Sequence, residues 1–441
     1  MPAQNYVLLN RIELNASAAS VTFSNIPQTG YTDLKIVYSL RSDNGDDYFA
    51  LTFNGSSSTF TSRDIQGGGT SATSASRTDN LFVFTQDPSS MTANTFSNGE
   101  LYIPNYLGST NKSFSQDTVY ENNATGAGMA LRAGLWSTTS AISSIGIAKA
   151  SGNFVQYSTF SLYGLAALGT TPTIAPKASG GNIQTDGTYW YHTFLTTGAF
   201  VPATTLNADV LTIAGGGGGG AWRAGGGGAG EIRYATSQSV SANSYTVTVG
   251  AGGAGGIATG NTSVDNRGST GSNSVLPGFV TANGGGGGGC YQDPRPTTNS
   301  NGKSGGSGGG ASLAGSGGAV SSGSGGTGYG FAGSNDGGST GGGGGAGSSS
   351  GNNNGGAGLN TWSSWATTTA TGVSGYYAGG GGGSYSGTGG SGGGGNGDST
   401  GGSGRTAGTT NTGGGGGGSY NNNDGMPGGS GIVIIRYLMA A

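Results

Sequence analysis

Seven glycine runs of four to six residues punctuate the second half of this chain, at 215–220, 225–228, 284–289, 341–345, 379–383, 392–395 and 413–418. Nothing else in the sequence limits the fold so severely. Glycine forfeits the most backbone entropy on ordering and brings no side chain to pack, so such runs make poor α-helices and poor strands. Yet any buried N–H or C=O must find a partner. The extended left-handed helix with three residues per turn and a rise of about 3.1 Å meets both conditions, because all its donors and acceptors point outward. Bare helices of this kind can lie close enough to bond one another sideways, as polyglycine II. A run of six makes two turns, roughly 19 Å long. The runs bounded by Gly215 and Gly220, Gly284 and Gly289, Gly341 and Gly345, and Gly413 and Gly418 are therefore expected to be scaffold rods.

A flexible linker is the competing reading, and the neighbouring segments oppose it. "TYWYHTFLTTGAFVP", "ADVLTIAGG" and "EIRYATSQSVSANSYTVTV" precede or interrupt the first runs, and "GSGIVIIRYL" follows the last. A linker works by staying solvated and mobile and has no use for strands. From Gly180 onward there are 86 of the 101 glycines but only seven basic and eight acidic side chains, so self-repulsion does not hold this half open. Collagen is excluded, since proline is scarce and no strict triplet register appears. The expectation is a small sheet, with strands at about 188–250 and 431–438, framing a glycine bundle and its loops over 214–430.

The first half reads as all-β. Short runs rich in β-branched and aromatic residues recur, among them "SVTFSNI", "DLKIVYSL", "YFALTF", "ELYIPNY" and "STFSLYGL", with turn signals such as "DNGDD" between them. Along 34–40, Leu34, Ile36, Tyr38 and Leu40 share one face and Lys35 and Ser39 the other. These strands predict a mainly β chain, with a jelly-roll-like β-sandwich over 1–168 as an attachment domain. A linker at 169–181 would lead to the glycine-rich domain at 182–441.

Composition narrows the function. The net charge is −3 without a basic or acidic block, so nucleic acid is not an expected partner. The lone cysteine, Cys290, rules out an intrachain disulfide. No apolar stretch approaches the ~20 residues of a membrane span, and "MPAQNYVLLNR" lacks the pattern of a secretory signal. The chain thus reads as made in a cytoplasm and not inserted into a membrane. Catalytic patterns lack their context. "GGSGG" at 305–309 and 389–393 has no strand before or helix after it, and "NGKS" at 301–304 is preceded by Thr297 where a phosphate loop needs glycine. His192 reads as a strand residue. Asp43, Asp46 and Asp47 read as a hairpin turn, with a calcium ion as the alternative. No enzyme, cofactor or metal is expected.

Binding remains. Trp362, Trp365, Tyr376, Tyr377, Tyr291, Tyr420, Asn421 and Asn422 lie between glycine runs. Aromatic rings and asparagines supply flat apolar faces and adaptable hydrogen bonds at low ordering cost. They are candidates for contact with a cell-surface glycan or protein. The alternative is that the aromatics cap the bundle or bury subunit interfaces.

The ordered series "ADVLTIAGGGGGG", "GGAGEIRYATSQSV", "SYTVTVGAGGAGG", further glycine blocks and "GGSGIVIIRY" resembles the glycine-rich domain of many tailed-phage fibre and tail proteins, often those of marine phages. It is more distantly similar to contractile-tailed phage adhesins, in which a polyglycine II bundle carries variable loops at its tip. Unlike them, this chain has a sandwich of its own and a closing "IVIIRY" strand. The resemblance implies a virion protein on a tail fibre or the capsid exterior. It would contact other virion proteins through its N-terminal domain, form a homo-oligomer such as a trimer, and meet the host through its loops. A capsid head fibre or decoration protein, or a self-assembling filament subunit, are the alternatives.

Overall fold

A computed structural model describes residues 6–44, 48–68, 71–83, 92–121, 127–167, 174–258, 265–291, 297–313, 315–335 and 340–439. The chain divides into two compact units. The first comprises Met1–Pro176, Asn182–Trp190 and Leu438–Ala441, and the second Lys177–Gly181 and Tyr191–Tyr437.

The first unit contains strands β1 (Tyr6–Glu13), β2 (Ser20–Phe23), β3 (Tyr31–Leu40), β4 (Tyr48–Phe53), β5 (Phe60–Gly67) and β6 (Ala72–Arg77). They are followed by β7 (Leu81–Val83), β8 (Ser97–Ile103), β9 (Lys112–Glu121), β10 (Ala127–Trp136), β11 (Ile145–Lys149) and β12 (Thr159–Ala166). Four of them form one antiparallel sheet in the order β2-β11-β4-β7, and the other layer contains β1-β12-β3-β8. Leaving aside the hairpins β5–β6 and β9–β10, consecutive strands alternate between the layers except for β4 and β7, which pair within the smaller sheet, and this is the double Greek key of a jelly roll. The expected jelly-roll-like sandwich is therefore present. The two hairpins extend the larger sheet past β8 as β9-β10-β5-β6, and the short strand Asn182–Thr185 joins its other edge beside β1.

Alternation along the strands fills the core. Leu34, Ile36, Tyr38 and Leu40 of β3 face Phe49, Leu51 and Phe53 of β4, all buried. Rings lock the layers together, with Phe53 5.5 Å from both Phe114 and Trp136 and Tyr38 5.9 Å from Phe49. Within this core Arg132 is also buried, held by Asp64 at 3.4 Å and stacked on Phe82. Of the acidic turn read as a calcium alternative, Asp46 and Asp47 lie outside the described residues. The Asp43 carboxylate accepts bonds from the backbone N–H and side-chain amide of Asn153. Residues 169–173 of the expected linker also lie outside the described residues.

The second unit adds β13 (Ala178–Ser179), and after β14 (Asn182–Thr185) and β15 (Tyr189–Phe194) come β16 (Gly198–Pro202), β17 (Leu206–Ile213), β18 (Ile232–Val240) and β19 (Tyr245–Val247). Then come β20 (Ser274–Leu276), β21 (Val280–Ala282), β22 (Thr327–Tyr329), the short helix α1 (Ser363–Thr369) and β23 (Ile432–Leu438). Strand β17 lies between β18 and β23, and β22 pairs with the outer edge of β18. This is the frame: β17 runs directly into the first glycine rod, the second rod feeds β18, and the last feeds β23.

The rods obey a three-residue rule. Gly215, Gly218 and Ala221 donate to Ser272, Ser269 and Asn266; Gly216 and Gly219 to Gly429 and Met426; Gly217 and Gly220 to Gly228 and Gly225. Their carbonyls are taken in the same rhythm, 215 and 218 by Gly285 and Gly288, 216 and 219 by Gly253 and Gly256, and 217 and 220 by Gly416 and Ser419. The rod Gly215–Gly220 thus has six neighbours, three accepting its N–H groups and three donating N–H groups to its carbonyls. The rod beginning at Gly225 is enclosed likewise, by segments including Gly286–Gly289, Gly341–Gly344, Gly413–Gly416, Ser307–Gly310 and Gly381. None of the glycines at 215–220 or 225–230 has positive φ, so both rods keep to the left-handed branch.

Close approach explains the residue type. A methyl group on Gly217 would fall on the carbonyl of Gly286, far inside van der Waals contact. Two of the runs differ at their starts. Gly392, Gly393 and Gly413 have φ of 93°, 95° and 72°, so there glycine serves a left-handed bend instead of a rod. Conversely, two rods interleave glycine with other residues. Asn266–Ser272 and Gly425–Gly431 turn only some residues toward the neighbouring backbone.

Candidate functional site

The polarity of the rods defines two ends. At the base, Ala214 bonds to Glu231, Gly230 to Gly413, and the strands begin. At the opposite end, the apex, rods finish together. The first two meet at the Trp222–Arg223 turn, the third leads to Tyr291, the one at 379–383 leads to Tyr385, and the one at 413–418 leads to Tyr420. Ser384 donates to Ala224, Ala224 to Ser419, and Tyr291 to the Trp222 carbonyl at 3.0 Å, so these chain ends are neighbours.

Side chains at the apex form a cluster. The rings of Tyr385 and Tyr420 meet edge to face at 4.8 Å, and the Arg223 guanidinium lies 5.8 Å from the Tyr420 ring. Trp222, Tyr291, Tyr385 and Tyr420 are half-buried, while Arg223, Asn421 and Asn422 are exposed. Trp222, Arg223, Tyr385, Ser386 and Asn421 all have positive φ, between 40° and 67°. Side-chain residues in that region carry strain that the surrounding structure must hold in place. The Trp222 indole N–H is buried without a hydrogen-bond partner.

Two carboxylates brace the apex loops. Asp398 is fully buried and accepts from Arg405 at 3.2 Å, the Tyr420 N–H at 3.2 Å and the Asn423 amide at 3.4 Å. Asp265 pairs with Arg267 at 2.9 Å and Lys303 at 3.7 Å. Burial by itself would raise the Asp265 carboxyl, but hydrogen bonds from Arg267 and the charges of both cations overcome it and hold the group at about 2.

The sequence candidates therefore separate. Tyr291, Tyr420, Asn421 and Asn422 are gathered at the apex. Trp362, Trp365 and Tyr377 instead are buried, at 4, 3 and 0 % exposure, and present no face to a ligand in this chain. Trp365, on α1, packs on Tyr191 and Tyr234 with Arg436 stacked 4.3 Å from its ring, and Trp362 packs on Tyr234 and Tyr329. They cover one face of the framing sheet, while Tyr376 is half-buried and bridges to Val373 through its backbone. Trp222, Arg223 and Tyr385 were not singled out from the sequence. Their signal was there: "GAWRAG" and "GGSYSG" set bulky residues where a glycine run must reverse.

His192 stacks on Tyr437 and meets Phe200 edge to face. Its Nδ1 bonds the Gly180 carbonyl at 2.8 Å and its Nε2 the Tyr437 hydroxyl at 3.0 Å. Burial lowers its pKa to about 4 against the opposing bond to Gly180. Ser307 of the first "GGSGG" is buried in a rod, and Cys290 is buried as well. Among the described residues, no group of three or more His, Cys, Asp or Glu is placed to hold a metal ion, and no helix is long and apolar enough to cross a membrane.

What the second unit defines is a polyglycine II bundle on a β frame, closed at one end by a sheet and at the other by loops. The sequence profile of the glycine-rich domain family matches residues 195–438, more than half of the chain, and the chain belongs to that family. No curated protein matches it.

Proposed function

We propose that this chain is a virion protein of a tailed bacteriophage, a fibre or adhesin whose jelly-roll unit attaches to other virion proteins and whose glycine bundle presents the apex loops to a host cell-surface glycan or protein. The observation carrying this reading is the convergence of Trp222, Arg223, Tyr291, Tyr385, Tyr420, Asn421 and Asn422 at the end of interlocked rods. Ring faces, a guanidinium and side-chain amides form a recognition palette, and a scaffold without side-chain rotamers of its own orders little on binding. Membership in the glycine-rich domain family supports the scaffold half of the reading.

Adsorption of purified protein to a panel of bacterial cells tests it. Replacing Arg223 and Asn422 by alanine, both exposed, should reduce cell binding at least tenfold while thermal unfolding stays unchanged. Cell binding that survives both substitutions together with Tyr420→Ala would remove the apex from recognition.

A further inference from the structure

The outer face of the larger jelly-roll sheet is apolar at one end. Ile65 on β5, Val119 on β9, and Met129 and Leu131 on β10 are 62, 41, 65 and 61 % exposed. Strand register aligns them. Leu131 lies between Asp117 and Ile65, Met129 between Val119 and Gly67, and Ala133 between Ser115 and Arg63. A cavity of about 410 Å³ opens beside them, lined in part by Arg63, Ile65, Ser74, Ser76 and Leu131. Four large apolar side chains on three adjacent strands form the kind of contiguous patch that marks an interaction surface.

We infer that a second copy of this chain seats on this face, related by a twofold axis running along β10. The patch carries its own complement. Such an axis exchanges the β9 side with the β5 side and keeps each residue at its level along the strand. Val119 of one copy then stands over Gly67 of the other. That position is a hole, since a Cβ built on Gly67 would meet nothing nearer than Met129 at 3.9 Å. Asp117 of one copy stands over Ile65 of the other and one level from its Arg63, so the carboxylate meets that guanidinium on the diagonal across the axis. Leu131, Met129 and Ala133 lie along the axis and pack against their own counterparts. This inference does not depend on the role of the apex.

Sedimentation velocity and light scattering on the full chain test it, with the intact protein expected to be a dimer. Leu131→Glu should weaken association by on the order of 30-fold or more, as for a central interface residue. Arg63→Asp and Asp117→Arg should each weaken it, and the two together should restore it. Cysteine placement gives a readout independent of the folding of these variants. Leu131→Cys, on the axis and opposite its own counterpart, should form an intermolecular disulfide readily, and the buried native Cys290 should not compete. Tyr157→Cys, 62 % exposed in the same unit but off this face, should not. A monomer at high micromolar concentration, a trimer, a dimer indifferent to Leu131→Glu, or equal crosslinking from positions 131 and 157 would each overturn the inference.

Discussion

Gly217→Ala is the sharpest perturbation of the bundle. The added methyl meets the Gly286 carbonyl carbon and oxygen, so the rod Gly215–Gly220 and the rod Gly284–Gly289 must part. Their separation stretches two bonds, Gly285 N–H to Gly215 carbonyl and Gly288 N–H to Gly218 carbonyl, both 2.9 Å. Four buried backbone groups are then left short of partners. At about 1–3 kcal/mol per orphaned group, and with partial relaxation, the loss is about 4–6 kcal/mol. Alanine also restricts the unfolded chain, which returns about 0.4–1 kcal/mol, leaving a net destabilisation of about 3–5 kcal/mol. The matched control is Gly351→Ala, where a Cβ meets nothing within 4 Å and φ is not positive. It should be neutral or slightly stabilising. Hydrogen exchange read by mass spectrometry on peptides covering 214–221 and 284–290 should show protection falling by about two to three orders of magnitude in Gly217→Ala. Unchanged exchange there, or equal losses in the two variants, would refute the claim that backbone-to-backbone contact holds the scaffold.

The remaining predictions concern side chains. The unfolded chain protonates His192 near 6.5 and the folded unit only near 4. Stability is therefore full above pH 6.5 and is lost as pH falls toward 4, by about 3 kcal/mol. Urea denaturation from pH 7 to 4 should show that slope, and His192→Gln should flatten it. Trp365→Ala, which empties the space between Tyr191, Tyr234 and Arg436, should cost about 3–5 kcal/mol in chemical denaturation. Asp398→Ala strands Arg405 and the Tyr420 N–H, a loss of about 3–5 kcal/mol. It should appear as faster exchange in 398–406 and 419–424 with the base of the bundle still protected.

Much of the architecture was legible because it rests on local patterns. Alternation in Leu34–Leu40 predicted which side of β3 is buried, and the turn signals marked strand ends. Glycine runs predicted rods because the absence of Cβ is itself the packing requirement. Less was legible where a residue type serves two ends. Tryptophan and tyrosine have the same flat faces whether they cover a sheet or await a ligand. The decision for Trp362 and Trp365 rested on Tyr191, Tyr234, Tyr329 and Arg436, all distant in sequence. Asn266–Ser272 and Gly425–Gly431 were missed as rods because only the residues facing a neighbouring backbone must be glycine.

By itself, then, the sequence determined the kind of packing: strands in one half, and in the other a backbone bare enough to bond sideways. Only the tertiary structure decided which rods are neighbours and which chain ends share the apex. A glycine rod offers the same donors and acceptors at every turn, so its own residues cannot choose a partner. That choice falls to the frame, where β17, β18 and β23 fix the starting register, and to the loops that return each rod to its place.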